Sequence, residues 1–164
     1  MAIDVYLQIE GIKGESQDAG HKDWIECDSV HWSIHQPKSA TASTGGGHTA
    51  ERAELEEITL SKSSDLSSPI LMQHCAMGKT ITRAKLEFMR ADGNGQPVKY
   101  FEIELENVLI GSISPGIAAG TILGEHMALK FSKVKWKYSQ QKIGGGIGGS
   151  TIGGWDLASN RVVA

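Results

Sequence analysis

The chain has 164 residues, of which 40% are hydrophobic, so it can build one core of ordinary size, and no shift in composition divides it in two. A net charge of −3 argues against the basic face that binding of nucleic acid requires. No apolar run approaches the roughly 20 residues of a membrane helix, and the first residues lack the pattern of a signal peptide. We therefore expect a single domain over residues 1–164 that folds in the cytoplasm, with no direct membrane insertion and with Cys27 and Cys75 as reduced thiols.

The first segments in chain order alternate apolar and polar side chains. Ile3 to Ile9 does so cleanly and predicts a strand with one buried face. After a turn bounded by glycines and a polar loop, Ile25 to Ile34 predicts a second long strand. Its core side would carry Val30, Trp32 and Ile34.

Later strands show changes of phase in this alternation. A change within Leu55 to Ser61 predicts a bulge near Glu56. The strand from Phe101 to Ile110 changes phase at Asn107, where we expect a bulge or bend, and Met127 to Tyr138 changes phase once more. Such shifts favour a curled sheet. The sequence therefore predicts an all-β dominated fold, a β-barrel of antiparallel strands in two sheets.

One segment, at about residues 69–77, predicts a short α-helix packed on the outside of the barrel. Ser68 can cap it, Pro69 suits the first helical position, and Gly78 can take the left-handed conformation that ends it. A stripe of four side chains is expected to dock on the barrel: Ile70, Leu71, His74 and Cys75.

No set of residues predicts catalysis, a metal or a cofactor. Cys27, His31 and His35 share one parity, but residues four apart on a strand lie about 13 Å apart, whereas ligands must each approach zinc to about 2 Å. Gly111 to Ser114 lacks the nucleophile-elbow pattern. The glycine-rich residues 144–154 lack the Lys-Ser or Lys-Thr of a phosphate-binding loop, so we expect a flexible or close-packed connection before the last strand.

Several blocks of the sequence resemble, in order and spacing, the Hcp family, whose members form the inner tube of the bacterial type VI secretion system. The match is poorest at Pro37 to Glu51 and Ile143 to Thr151. The blocks are Asp4 to Trp32, Ser61-Lys62, Asp65 to Met72, Ala84 to Leu86, the hairpin around Gly93, and Gly153 to Asn160.

The resemblance implies a structural role. Hcp-like proteins form homo-hexameric rings that stack into a hollow tube within a sheath, carry effector proteins in the lumen, and are secreted with them without a signal peptide. The implied partners are other copies of the chain, effectors, and the sheath and spike proteins. Phage tail-tube proteins resemble this family in fold and polymerisation, so a tail-tube role remains an alternative. A non-catalytic ligand-binding β-barrel module is a second one.

The resemblance also directs attention to the polar side of the second strand. Opposite its core residues lie Ser29, His31 and Ser33. We expect these three residues to line the channel and contact cargo, with an ordinary solvent-facing strand surface as the alternative.

A long polar loop, at about residues 36–52, corresponds to a loop that reaches a neighbouring ring in Hcp-like proteins. A structureless loop of this length is typically functional or disordered. We expect its central part to help stack rings, and the alternative is a mobile surface loop. The residues concerned are Ala40, Thr41, Ser43, Gly45, Gly46, Gly47 and His48.

Charged side chains occupy the polar sides of two strands. One strand presents Glu102, Glu104 and Glu106, and the other presents lysines at positions 130, 133, 135 and 137. These stripes can form a ladder between neighbouring strands of one subunit or meet across a subunit boundary, and the sequence favours the first.

Overall fold

The computed structural model describes residues 3–37 and 52–163 of the chain. Within those ranges the chain forms strands almost throughout and a single helix, α1 (Ser68–Met77). The strands are β1 (Ile3–Ile9), β2 (Ile25–Cys27), β3 (Ser29–His31), β4 (Ile34–His35), β5 (Glu54–Leu55), β6 (Ile58–Ser63), β7 (Ile81–Ala91), β8 (Pro97–Gly116), β9 (Gly124–Lys130), β10 (Lys133–Gln141), β11 (Ile147–Asp156) and β12 (Arg161–Val162).

The strands pair antiparallel in two main layers. Sheet A has the order β12-β11-β10-β8-β7-β1-β2. Sheet B has the order β3-β6-β9-β8, and β4 and β5 form a separate two-stranded ribbon. The long strand β8 belongs to both sheets. This arrangement confirms the predicted class, antiparallel strands in two sheets with one short helix, although pairing among the described residues does not close a barrel.

The chain passes from sheet A to sheet B at Asn107, as the change of phase predicts. Asn107 has φ of 53°, in the left-handed region that asparagine tolerates better than most residues. Pairing of β8 with β7 ends at Val108, and its pairing with β9 begins at Leu109. The first part of β8 therefore belongs to sheet A and the last part to sheet B.

The core lies between the two sheets. Leu7, Leu86 and Ile103 from sheet A are fully buried, and they belong to one apolar cluster with Met127 and Leu129 from sheet B. Burial of each such side chain contributes about 1.5 to 3 kcal/mol. The two sheets and the helix are thus held as one unit by a shared core.

The predicted strand from Ile25 to Ile34 is three short strands. β2 pairs with β1 of sheet A, whereas β3 pairs with β6 of sheet B, so the chain changes sheet at Asp28. Val30 and Trp32 pack against the core, but Ile34 is 53% exposed, and its predicted core position is wrong. Strict alternation fails here because, each time the chain changes sheet, a different set of side chains comes to face the core.

Two other phase changes also mark breaks between strands. Near Glu56, where a bulge is predicted, β5 ends at Leu55 together with its pairing to β4, and β6 begins at Ile58. The segment from Met127 to Tyr138 is two strands, because β9 pairs in sheet B and β10 in sheet A. A phase change in the sequence thus indicates a break, but not whether the chain bulges or changes sheet.

Helix α1 starts and ends close to the predicted limits. Gly78 has φ of 65°, and its N–H and that of the next residue donate to carbonyls of the last turn, as a left-handed cap requires. Leu71 is fully buried, but Ile70 is 40% exposed and does not join the docking stripe. Ser68 is the first helical residue rather than the cap, and the cap position is Ser67.

The glycine-rich residues 144–154 are mostly strand rather than a connection. Only the first of them form the hairpin after β10, and β11 then runs through Ile147–Asp156. Gly154 is closely packed, because a Cβ there would collide with the carbonyl oxygen of Val163 and approach that of Val134 at 3.1 Å. Glycine at this position therefore allows β11 to approach the backbone of Val163 and Val134 closely.

A buried histidine fixes the loop between β1 and β2. The His21 ring stacks on Tyr6 at 4.2 Å between centroids and meets the edge of Trp24. Its Nδ1 lies 2.6 Å from an Asp18 carboxylate oxygen and its Nε2 lies 2.8 Å from one of Glu87 on β7. The loop is thus attached to the outer side of sheet A.

Candidate interaction surface

The outer face of sheet B carries small polar side chains over most of its area, and Lys130, at the end of β9, is the one lysine, arginine, aspartate or glutamate on that side of its strands among the described residues. Alternation along each strand turns the large apolar residues inward and leaves small polar residues outside. The outer face of sheet B consists of Ser29 and His31 on β3, Thr59 and Ser61 on β6, His126 and Ala128 on β9, and Ser112 and Ser114 on β8.

Strand register brings these residues into two rows. Ser29 lies opposite Ser61, which lies opposite His126, and in the second row His31 lies opposite Thr59. The Ser29 and Ser61 hydroxyl oxygens are 2.6 Å apart, a hydrogen bond across the strands. Side chains of both rows line a shallow depression of about 170 Å³. The face is therefore a continuous surface of hydroxyl and imidazole groups.

Lys62 of β6 and Glu125 of β9 point inward instead. Lys62 and Glu125 are register partners, both side chains are fully buried, and they form an ion pair. The Lys62 ammonium also lies 3.0 Å from the Asp65 carboxylate, and Ser68 and Ser64 donate hydrogen bonds to Glu125 at 2.8 and 3.0 Å. A buried ion pair needs such additional hydrogen bonds to offset desolvation. The pair joins sheet B to the start of α1.

The outer face of sheet A has the opposite character. Register places Lys133, Lys135 and Lys137 opposite three glutamates of β8 in the same chain, as the favoured intramolecular ladder predicts. Lys133 lies 3.4 Å from Glu106, whereas Lys130 belongs to β9 and lies 3.5 Å from Glu57. The outer face of sheet A comprises Lys85, Glu87, Glu102, Glu104, Glu106, Lys133, Lys135 and Lys137.

Glu102 is the most strongly held carboxylate of that face. Its oxygens lie 2.6 Å from the Lys99 ammonium and 3.0 Å from that of Lys85. Burial raises the pKa of Glu102, but hydrogen bonds and charges from these two lysines outweigh it and lower the pKa to about 2. Charges on sheet A are thus largely compensated within one chain.

Sheet B has two strand edges without a partner among the described residues. At one edge, β3 pairs with β6 on one side only. At the other edge, residues 109–116 of β8 pair only with β9, because the pairing with β7 and β10 has already ended. Unpaired N–H and C=O groups along such edges are templates for pairing with another chain.

Comparison with known proteins identifies the family. A family model described as "Type VI secretion system effector, Hcp" matches residues 6–138. A protein named hcp1 from Pseudomonas aeruginosa is 35% identical over 162 residues, which cover 98% of each chain. The chain belongs to the Hcp family. This membership makes it a structural tube protein of the type VI secretion system and not an enzyme, in agreement with the resemblance.

Solved structures of the Hcp family share the fold. Hcp1 from Salmonella typhimurium has a TM-score of 0.80 and 31% identity, with 99% of this chain and 100% of that one covered. A structure described as a type six secretion system protein has a TM-score of 0.92 over the same shares, with 24% identity. The two-sheet arrangement is therefore that of Hcp structures.

The three residues expected to line the lumen do not all lie on one surface of this Hcp-family chain. Ser29 and His31 lie exposed on the outer face of sheet B. Ser33 lies beyond β3, half-buried, and its hydroxyl donates a hydrogen bond to Glu56 at 2.7 Å. The predicted stacking residues, from Ala40 to His48, lie outside the described residues.

Reasoning from sequence missed most of the outer face of sheet B. Thr59, Ser61 and His126 belong to it, as do two serines of β8. A usable signal was present, because Asn107 to Gly124 is a run of eighteen residues without a charge in a chain that is 21% charged. Only strand register shows that this run and β3 contribute to one surface.

The described residues contain no cluster of His, Cys, Asp or Glu suited to hold a metal ion. None of their helices is long and apolar enough to cross a membrane. Cys27 and Cys75 are free thiols, and burial raises the pKa of Cys27 to about 12. A thiol with so high a pKa is a poor nucleophile, so we assign Cys27 a packing role.

Proposed function

We propose that this chain forms hexameric rings that stack into the inner tube of a type VI secretion system, with the outer face of sheet B lining the lumen. The single observation that carries this proposal is that sheet B combines an outer face of mostly hydroxyl and imidazole groups with two edges that have no partner among the described residues. Pairing of β3 of one copy with residues 109–116 of the next would continue sheet B around a ring.

The dimensions of such a ring suit a channel for proteins. Six copies, the number that the family resemblance implies, would supply about 24 strands to a closed inner sheet. Strands spaced about 4.8 Å apart and tilted as in barrels close a ring roughly 40 to 50 Å across. A folded domain of about 100 residues, with a radius of gyration near 13 Å, fits inside it.

The chemistry of the lumen would favour polar contacts over ionic ones. Side chains such as Ser29, His31 and Thr59 can donate and accept hydrogen bonds, and neighbouring copies repeat them around the channel. We propose that effector proteins contact this surface and that the chain carries them. The charged outer face of sheet A would then be turned toward the sheath, the other partner expected of a tube protein.

The remaining expectations for assembly and location belong to the same proposal. Rings would form in the bacterial cytoplasm, stack with the help of residues 40–48, associate with sheath and spike proteins, and be secreted with their cargo. Shortening the segment between Pro37 and Arg52 should leave single rings intact and abolish tubes. Tubes that form normally after this change would remove the segment from the stacking contact.

Ring formation is tested by native mass spectrometry and electron microscopy of the purified chain. We expect a closed particle of six copies. Hydrogen exchange on the same sample should show protected amides in residues 29–31 and 109–116, because pairing between copies occupies edge N–H groups. A lone monomer, or a ring in which both edges exchange as freely as loops, would contradict the proposal.

Cargo binding is tested by substitution on the lumen face. His31→Glu adds six carboxylates to the lumen of a ring, and we expect it to reduce co-purification of an effector while rings persist. Thr151→Glu on the exposed part of β11 in sheet A is the matched control, and cargo should bind it as it binds the unchanged chain. Equal effector recovery with both variants would remove His31 from the cargo contact.

A further inference from the structure

Two histidines on the outer face of sheet B are surrounded by hydroxyl groups. His31 on β3 and His126 on β9 are both exposed. Strand register places His31 opposite Thr59, and it places His126 between Ser61 on one side and Ser114 on the other. A positive charge on either ring would therefore face hydroxyl groups and solvent instead of a carboxylate.

His21, on the outer side of sheet A, has the opposite environment. Its two ring nitrogens lie 2.6 Å from Asp18 and 2.8 Å from Glu87, and the ring is buried. Two carboxylates balance a charge on such a ring, and burial keeps that charge away from any cargo. Among the described residues, neither His31 nor His126 forms an ion pair of this kind. A charge gained by these two rings would thus remain uncompensated within the chain.

The carboxylates that flank the outer face of sheet B lie beyond its ends. At the end next to His31, Glu57 lies 3.5 Å from the Lys130 ammonium, and Glu56 accepts a hydrogen bond from Ser33. At the other end, a small cavity begins beside the last residue of β6. The carboxylates that line it are Glu15, Glu26, Asp28 and Asp65. Between these ends, the two imidazoles are the titratable groups of the outer face among the described residues.

The two imidazoles of one chain are well separated. Two strand spacings across sheet B and one two-residue step along it place His31 and His126 about 12 Å apart. This distance exceeds the Debye length of about 10 Å at 0.1 M salt, so a charge on one ring opposes a charge on the other only weakly. It also excludes one metal ion shared by both rings of a chain, since ligands approach zinc to about 2 Å. Both rings can therefore carry a proton at the same time.

We propose that His31 and His126 make the outer face of sheet B a pH-dependent binding surface for proteins with an acidic surface, held more tightly as the pH falls. This inference rests on the proposed ring. Histidine is the side chain that ordinarily changes its charge between pH 5 and 8. Two such rings per chain supply twelve imidazoles to six copies. Because a channel concentrates the field of the charges that line it, acidic cargo would be retained at low pH and released as the pH rises.

Binding of a charged peptide to the intact ring tests this inference. The probe is a fluorescent peptide of ten aspartates, whose carboxylates stay ionised at about pH 5.5. Fluorescence anisotropy in low salt should show its dissociation constant falling about tenfold between about pH 7.5 and about pH 5.5. The gain should nearly vanish in about 0.5 M salt, because salt screens exposed charges. A peptide of ten lysines should bind less tightly at the lower pH, and a gain for both peptides would overturn the proposal.

Substitution of the two histidines assigns the effect to them. His31→Gln combined with His126→Gln keeps both side chains polar but removes their charge, and most of the gain at low pH should disappear. Each single variant should keep part of the gain. The matched control is His74→Gln on α1, which should keep all of it. A double variant that gains as much affinity at low pH as the unchanged chain would refute the assignment.

Native mass spectrometry at both pH values separates this inference from the proposed ring. We expect six copies at about pH 7.5 and at about pH 5.5. If rings form at the higher pH and dissociate at the lower one, acid acts on assembly, and this inference fails while the proposed ring remains. If the chain is monomeric at both pH values, the proposed function fails and this inference fails with it.

Discussion

The outer faces of the two sheets differ in where they place charge. Sheet A shows lysines and glutamates to the outside, and these pair with each other within the chain. Sheet B turns its Lys62–Glu125 pair to the interior and leaves hydroxyl and imidazole groups outside. Both sheets thus neutralise charge internally. Sheet B does so with both ions fully buried, which is the more costly arrangement, whereas the lysines that pair with Glu102 on sheet A stay partly exposed.

The inward position of the Lys62–Glu125 pair is not explained by stability alone. A buried ion pair often contributes no more to stability than apolar residues of the same volume. The inward position leaves the part of the outer face around Ser61 and His126 without lysine, arginine, aspartate or glutamate, and such a surface neither repels nor strongly attracts proteins of either sign. In the proposed channel, that property would prevent tight electrostatic trapping of cargo.

The largest expected effect comes from breaking the buried pair. Lys62→Met leaves Glu125 charged and without its cation in the interior, and we expect the free energy of unfolding to fall by about 3 to 5 kcal/mol. Denaturant titration measures this value. The control is Lys137→Met on the outer face of sheet A, for which we expect a change within about 0.5 kcal/mol.

Removal of both buried charges sharpens the comparison. Lys62→Met combined with Glu125→Leu removes both fully buried charges and leaves only Asp65, 11% exposed, without the Lys62 ammonium, so stability should recover in part relative to Lys62→Met alone. A double variant as unstable as Lys62→Met alone would show that the loss came from packing rather than from charge. A stable double variant would support a role for the pair in something other than stability.

The pH dependence of stability should report on sheet A through Glu102. Because its pKa in the folded chain, about 2, lies below the ordinary value, its carboxylate stabilises the fold above the unfolded pKa near 4.5. That contribution is lost as the pH falls from about 4.5 through 2. Glu102→Gln should therefore lose less stability over this range, measured by unfolding at a series of pH values.

The matched control for that measurement is Glu104→Gln. Glu104 is a neighbour on the same strand, but its side chain is 51% exposed and its nearest ammonium, that of Lys85, is 3.8 Å away. We expect it to keep the acid sensitivity of the unchanged chain. If both variants lost acid sensitivity equally, the lysines would stabilise the glutamates of this face in general, and Glu102 would have no special part in the pH dependence.

The smallest effects are expected for the exposed ladder between β8 and β10. Lys133→Ala removes a partly exposed pair with Glu106 and should cost about 0.2 to 1 kcal/mol, less at high salt. Because register pairs these stripes within one chain, rings should also persist in about 1 M salt, as measured by size-exclusion chromatography. Rings that dissociate in salt would show that the stripes also bind neighbouring copies.

Prediction from sequence succeeded where one local pattern decides the structure. Alternation identifies β1, and Pro69 with Gly78 delimits α1 to within a residue of its observed start. The phase change at Asn107 identifies the bend in β8. Of the three residues expected in the lumen, Ser29 and His31 share the outer face of sheet B, whereas Ser33 donates a hydrogen bond to Glu56 away from it, and contact with cargo stays a prediction.

The sequence by itself determined the family, the all-β class, and the parity of individual strands, because each depends on neighbouring residues. Only the tertiary structure decided which strands share a sheet, that Lys62 meets Glu125, and that serines of β8 join His31 on one surface. The physical reason is that strand pairing joins residues far apart in the chain. The periodicity of a strand shows which of its side chains lie on the same side of the sheet. It does not show which other strand pairs with it.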